Sequence, residues 1–391
     1  MKILQKLLAP YPVEQFLAEH WTQKAIHISA SHPQKFREYF SWETLNYLLN
    51  YHRLTDPDIR FSKKGVSLSE THNPQNWSSY LRQGATLIVN GVHHRVPKVQ
   101  ELTANLQYDI GYPAHVNLYC SPSEQQGFTC HYDTHDVLIL QIDGDKEWFV
   151  YPETISYPTP EMPSEKELPP EGTPYLQCIL KPGDLLYIPR GHWHYAVACG
   201  EKLSLHLTVG IDCQIGLDWV RSLIDNLQNT PAWRQSLPPI VDGNTHPIEQ
   251  HLNTLKQGLI ESLNQADILH KYIDTLSYSN QPPLLINLPT QTGNDIFADI
   301  FTTRFTWSSL HRIRLKQLGE EHYQVQVGAK QVDLKGIPGS LIENLFNRDE
   351  FGLLDIADWA PELDLDIDIA PLITRLVTEG ILLVKTEKSG L

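Results

Sequence analysis

Between residues 113 and 211 the apolar residues stop recurring at helical spacing and gather in six short runs: AHVNLYC, DVLILQI, KEWFVY, YLQCIL, DLLYIP and KLSLHLTVGI. Runs of this length, rich in β-branched and aromatic residues and separated by turn formers, read as strands. Asp143-Gly144 lies between two of them and predicts a two-residue hairpin. Lys181-Pro182-Gly183-Asp184 marks another turn. Many short strands joined in this way predict a β-sandwich or a barrel.

The flanks have a different period. Residues 1–110 read as mostly helical, in stretches such as PVEQFLAEHW and VPKVQELTANLQ, with DIRFSK and GATLIVNGV as short strands between helices. Residues 214–280 return to helical spacing, and Leu252, Leu255, Leu259, Leu263 and Ile268 can share one apolar face. That stripe is either core or a subunit contact, and spacing does not separate the two. The remaining tail alternates strands with helices, which fits a small winged-helix-like module. At 391 residues the chain is too long for one ordinary domain. The divisions expected are 1–212, 213–285 and 286–391. Inside the strand-rich part, residues 153–174 are rich in Pro and Glu and predict a surface loop, either a plain connection or a cover for the mouth of a site.

Composition narrows the partners. With 31 Lys+Arg against 46 Asp+Glu the net charge is −15, the wrong sign for a protein that neutralises phosphates. The tail stretch 349–368 carries eight acids and no Lys or Arg, so direct DNA binding is not expected of it. An acidic surface favours basic partners. Five cysteines, odd in number and without a CxxC pair, predict neither a disulfide framework nor a thiolate zinc site. No apolar run approaches the roughly 18 residues of a membrane span, and the first residues meet charge and proline too soon for a secretory signal. A cytoplasmic protein is the expectation.

The chemistry concentrates in GFTCHYDTHDVLILQIDGDKEWFVYP and KPGDLLYIPRGHWHYAVA. His131 and Asp133 are two apart, so on an extended strand they emerge on the same side. An imidazole and a carboxylate presented together can take two positions of a divalent metal. A second imidazole would complete the two-His-one-carboxylate facial triad of non-haem Fe(II) oxygenases, which leaves positions open. The second imidazole could be His192 or His194. Asn117, a polar residue in a strand-like run, could line a barrel interior. Lys146 has two readings. If Asp143-Gly144 closes a hairpin, Gln141 opposes Lys146 and the lysine points to the metal side; otherwise it is a surface charge at a hairpin end. His206, in an apolar run, reads as a core histidine with its hydrogen bonds satisfied.

Taken together, VNLYCSPSEQQGFTCHYDTHDVLILQIDGDKEWFVY, IPRGHWHYA and SLHLTVG resemble the JmjC-type Fe(II)/2-oxoglutarate oxygenases of the cupin superfamily. Within that family they are most similar to the ribosomal-oxygenase branch, which hydroxylates arginine or histidine of ribosomal proteins. The likeness is specific over about 100–210 and loose elsewhere. It implies an α+β protein: a double-stranded β-helix (JmjC/cupin barrel), a helical dimerisation segment and a winged-helix-like end. It implies that Fe(II), 2-oxoglutarate and O2 are used, with His131, Asp133 and His194 as metal ligands and Lys146 and Asn117 holding 2-oxoglutarate. Tyr119 and Gln126 match positions near the substrate groove, though either could be a packing residue. The expected function is a homodimeric hydroxylase of a His or Arg side chain in a basic ribosomal protein. The alternatives are N-methyl-lysine demethylation and a non-catalytic cupin scaffold that binds a peptide. Two features depart from the branch: Gly210 replaces a small hydroxyl residue that its human members carry near the cosubstrate, and His135 and His192 add imidazoles near the triad.

Overall fold

The computed structural model describes residues 2–385 except 69–72, 279–280, 300 and 329; the ends of the expected 1–212 and 286–391 domains thus lie partly outside the described residues. The chain divides into two compact units, 1–221 and 222–391.

The first unit opens with α1 (Lys2–Leu8), α2 (Val13–Glu19), α3 (Trp42–Tyr51), α4 (Pro74–Arg82) and α5 (Pro97–Ile110). Interspersed with them are strands β1 (Ile26–Ile28), β2 (Ile59–Lys63), β3 (Val66–Ser67) and β4 (Thr86–Val89). Ser41 and Asn73 cap α3 and α4 by accepting from the backbone N–H of Thr44 and Gln75, which satisfies donors a helix start leaves free. Then come β5 (Ala114–Ser121), β6 (Asp136–Asp143), β7 (Asp145–Glu153), β8 (Leu176–Leu180), β9 (Leu185–Ile188), β10 (His192–Cys199) and β11 (Ser204–Ile211).

These strands form two antiparallel sheets. One has the order β1-β9-β6-β11-β5-β4-β2-β3 and the other β10-β7-β8. From β6 onward the chain passes between sheets at nearly every turn, which is the winding of a double-stranded β-helix. The strands alternate in period two, and the two faces of the larger sheet meet different cores. Val116, Leu118, Cys120, Leu205, Leu207 and Val209 pack outward against the helices of residues 1–110. Val137, Ile139, Leu186 and Ile188 face the other way and cluster with Trp148, Val150, Leu180 and Ala196 of the smaller sheet. That second cluster is the barrel interior.

The expected hairpin at Asp143-Gly144 is not there. β6 pairs with β9 and β11, whereas β7 pairs with β8 and β10. Asp143-Gly144 is the corner at which the chain leaves one sheet for the other. The sequence cue was sound chemistry applied to the wrong turn. Gly144 has φ +63°, and a Cβ there would sit 2.2 Å from the Leu203 carbonyl oxygen, so the corner demands glycine as strictly as a type I′ hairpin does. The inward path of Lys146 therefore comes from the crossing and not from pairing with Gln141.

Residues 216–278 form α6 (Gly216–Leu227), α7 (Pro231–Arg234), α8 (His246–Leu263) and α9 (Ile268–Tyr278). The apolar stripe is consequently split. Leu252, Leu255, Leu259 and Leu263 lie on α8, but Ile268 begins a separate helix after the break at 264–267. The second unit also holds β12 (Arg304–Trp307), β13 (Ile313–Gly319), β14 (His322–Val327), β15 (Lys330–Lys335), β16 (Glu350–Gly352) and β17 (Leu382–Lys385). They form two three-stranded sheets, β16-β12-β17 and β13-β14-β15. Helices α10 (Gly339–Phe346), α11 (Leu353–Trp359) and α12 (Ala370–Thr378) share one core with both sheets, with Phe305, Val325, Leu341, Phe351, Ile373 and Leu376 fully buried. No helix among the described residues is long and apolar enough to cross a membrane.

Candidate active site

His131 lies just before β6 and pairs with His194 of β10 in an isolated antiparallel bridge. The His131 N–H donates to the His194 carbonyl at 3.1 Å and the His194 N–H to the His131 carbonyl at 2.7 Å. Directly opposed residues point to the same face, so the bridge sets the two imidazoles side by side, with ring centroids 4.6 Å apart. Asp133 follows two residues on, and its backbone carbonyl accepts from the Gly191 N–H at 2.9 Å. One ligand atom from each of His131, Asp133 and His194 lies within 4.8 Å of the others.

The imidazoles are oriented as metal ligands require. His131 Nδ1 lies 2.8 Å from the Thr129 carbonyl oxygen and His194 Nδ1 3.0 Å from that of His192. In each ring Nδ1–H donates to a carbonyl, which leaves the Nε2 lone pair facing the cluster. Burial, and next the neighbouring His131, lower the pKa of His194, favouring the neutral form that binds a metal. Burial alone would raise the Asp133 carboxyl, but the surrounding histidines, His135 foremost, outweigh it and hold it below the ordinary carboxylate range. A carboxylate and two imidazoles converging on one point fit a divalent first-row metal.

His192 is turned away. A register shift interrupts β10 between His192 and His194, so residues two apart no longer share a face. His192 Nε2 lies 2.6 Å from Glu153 and Nδ1 2.7 Å from the Tyr175 hydroxyl. Both ring nitrogens are engaged outside the cluster.

A cavity of about 440 Å³ opens from the cluster into the barrel, within the range of small-ligand sites. His131, Asp133, His194, Lys146, Tyr119, Trp148, His206 and Thr208 are among its walls. Lys146 is 4 % exposed, and its Nζ donates to Ser121 Oγ at 3.1 Å and sits 5.8 Å from the Trp148 ring centroid. No carboxylate pairs with it among the described residues, and burial lowers its pKa to about 8. A buried cation facing a cavity without a counter-charge is costly unless an anion fills the cavity. The surface-charge reading of Lys146 is thereby overturned.

The other expected residues divide. Tyr119 lines the cavity, and burial pushes its phenol up to about 12. Asn117 shares the inward face of β5 with Tyr119, but it is not among the lining residues and its Oδ1 accepts from the Gly91 N–H at 3.0 Å. Gln126 bridges Val197 through the backbone and donates to the Phe128 carbonyl at 2.8 Å, outside the lining set. The 153–174 loop reaches the site, because Ser164 and Glu165 line the cavity and the Tyr132 hydroxyl donates to the Met162 carbonyl.

Gly210 has a steric explanation. A Cβ there would meet His115 Nε2 at 2.3 Å and His135 Cδ2 at 2.8 Å. The paired His115 and His135 rings, 4.9 Å apart, occupy the space a side chain would need.

Sequence reasoning missed His206, Arg60 and Thr208 as cavity residues. His206 is no satisfied core histidine, since its buried Nδ1 has no hydrogen-bond partner among the described residues. The missed signal was the alternation of Ser204, His206 and Thr208 with leucine and valine along β11, which marks a polar inward face.

Residues 94–217 match the family model described as JmjC domain. The chain thus contains a JmjC domain over those residues. It is 28% identical over 340 residues to a bifunctional lysine-specific demethylase and histidyl-hydroxylase NO66 from Drosophila persimilis, covering 78% of this chain and 47% of that protein. Against ribosomal oxygenase 1 from Gallus gallus the identity is 32% over 220 residues, with 53% and 36% covered. The chain thus spans less than half the length of these curated relatives. A solved structure of YcfD, a ribosomal oxygenase from Escherichia coli in complex with cobalt and 2-oxoglutarate, superposes with a TM-score of 0.61 at 18% identity. That match covers 96% of this chain and 99% of the other. This likeness supports the JmjC cupin-type α+β fold.

Proposed function

We propose that this JmjC-domain protein is an Fe(II)- and 2-oxoglutarate-dependent protein hydroxylase acting on a His or Arg side chain of a ribosomal protein. The observation that carries the reading is one cavity containing both a two-His-one-carboxylate cluster and a buried lysine that has no carboxylate partner among the described residues. His131, Asp133 and His194 would hold the iron. Lys146 takes the far carboxylate of 2-oxoglutarate by a charge-assisted hydrogen bond, and Asn117 braces the adjoining backbone through Gly91. Bound there, iron would supply the redox chemistry through which O2 gives one atom to a substrate C–H bond and the other to 2-oxoglutarate as it becomes succinate and carbon dioxide. The chain's own part is to fix the imidazole tautomers, hold the carboxylate and exclude water with Trp148, Val137 and Ile139. Tyr119 lies on the wall a substrate side chain would pass.

The substrate class rests on charge and on the relatives. A net charge of −15 attracts a basic polypeptide, the acidic Glu165 stands at the cavity, and two relatives are called a histidyl-hydroxylase and a ribosomal oxygenase. We place the protein in the cytoplasm, where ribosomal proteins are abundant, with no membrane partner.

For the rest of the chain the proposed domains are 1–212, 213–285 and 286–391. The middle segment is read as a homodimer interface, because α6 and α8 bury no residue while Leu217, Ile224, Leu252 and Ile260 lie exposed on them. The end is read as winged-helix-like from its three helices beside the β16-β12-β17 sheet, and its eight acids suit a protein contact better than DNA. The test is incubation with Fe(II), 2-oxoglutarate and ribosomal proteins, read by mass. Gain of one oxygen supports hydroxylation, loss of a methylene indicates demethylation, and no turnover indicates a scaffold.

A further inference from the structure

His206 is a cavity residue whose chemistry the proposed function leaves unused. It is 2 % exposed, lines the cavity, and is clamped between aromatic rings. Tyr119 stacks on it at 5.0 Å with an interplanar angle of 6°, and Trp148 meets it edge-on at 5.8 Å. A histidine held this firmly, with a buried ring nitrogen that lacks a partner among the described residues, is expensive to keep unless a bound molecule completes it.

Its position says what that is. In the sheet register His206 pairs with Tyr119 of β5 and Gln141 of β6, and Ser204 pairs with Ser121. Ser121 Oγ is the acceptor for Lys146 Nζ. His206 therefore stands one inward-facing step from the lysine's partner, roughly 7 Å along the strand, and close enough for the lysine's charge to act on it. Burial, and next that charge, keep the imidazole neutral, so it has one N–H to give. A carboxylate offers about four lone-pair sites on two oxygens, and Lys146 alone leaves some unfilled.

We propose that His206 is a second positioning residue for the cosubstrate, donating its ring N–H to the carboxylate that Lys146 holds. The proposal rests on the 2-oxoglutarate reading above and deepens it. The polar end of the cavity is then a pair of donors, one charged and one neutral, held at fixed spacing by β7 and β11. A 2-oxoacid lacking the second carboxylate has nothing for His206 to grip.

The test is equilibrium binding to the full chain loaded with Mn(II), by calorimetry, using 2-oxoglutarate and 2-oxopentanoate, which lacks the far carboxylate. A hydrogen bond to a charged group corresponds to roughly a ten- to hundred-fold change in affinity. His206→Phe should weaken 2-oxoglutarate at least about ten-fold, leave 2-oxopentanoate and Mn(II) unchanged, and His206→Gln should recover part of the loss. If His206→Phe does not fold, His206→Leu makes the same comparison. Unchanged 2-oxoglutarate affinity, or equal weakening of both oxoacids, overturns the proposal and makes His206 a packing residue. A Mn(II)-loaded wild-type protein that binds no 2-oxoglutarate overturns the parent reading as well, and that result is seen before any variant is made.

Discussion

Raising the pH should strip the cavity of its hold on 2-oxoglutarate, and Lys146 sets where. An ordinary lysine titrates near 10.4, but burial brings Lys146 down to about 8. The lowered value means that the empty cavity holds the cation reluctantly, and that an arriving carboxylate must find it protonated. With a pKa of about 8, the protonated fraction is about 0.9 at about pH 7 and about 0.1 at about pH 9, by the ordinary titration curve. Apparent affinity should therefore fall about ten-fold over that interval, with the loss beginning below the range where an unperturbed lysine would lose its proton. The assay is calorimetry of 2-oxoglutarate into the Mn(II)-loaded protein at several pH values. Lys146→Arg should flatten the profile, because guanidinium stays protonated. Lys146→Met should bind roughly ten- to a hundred-fold more weakly at about pH 7 and also show no slope. A flat wild-type profile, or an equal slope in Lys146→Met, would refute the assignment of the cation to the cosubstrate.

Alanine at His131, Asp133 or His194 should abolish stoichiometric Mn(II) binding in a dialysis experiment, whereas His192→Ala should retain it. His192→Ala should instead lower thermal stability by roughly 1–3 kcal/mol, because Glu153 and Tyr175 lose a buried partner; retained stability with lost metal would reverse the two histidines' roles. Gly144→Ala should destabilise the barrel by roughly 1–3 kcal/mol or prevent folding, since the corner has φ +63° and no room for a Cβ; an unchanged melting temperature would contradict the corner geometry. Light scattering should give twice the 44.7 kDa chain mass, and a monomer would reject the dimer.

Much of the site was legible from the sequence because it depends on local spacing. His131-x-Asp133 and the distal histidine announce themselves by residue type, and the short-strand pattern of 113–211 announces a barrel. What escaped depends on which strand pairs with which. Asp-Gly serves a hairpin and a sheet corner equally well, since both need a left-handed glycine, so the route of Lys146 into the barrel was misread. The preference for His194 over His192 came from resemblance alone; the register shift that turns His192 toward Glu153 is a feature of pairing with β7. An imidazole in an apolar run usually finds a partner, and only the lack of one for Nδ1 among the described residues separates His206 from that case. The break between α8 and α9 fell in NQAD, where helical periodicity continued across a sequence that the backbone does not follow.

The central claim is an oxidation of a basic protein, and the most direct measurement is intact-mass analysis of purified ribosomal proteins incubated with the full chain, Fe(II), 2-oxoglutarate and O2. The account predicts one ribosomal protein heavier by one oxygen atom on a His or Arg side chain, with an equal amount of succinate, at a rate that falls as salt screens the attraction beyond roughly 8–10 Å. Succinate formed without any oxygen gained by a ribosomal protein would contradict the substrate assignment, and no succinate at all with Fe(II) bound would contradict the oxygenase itself.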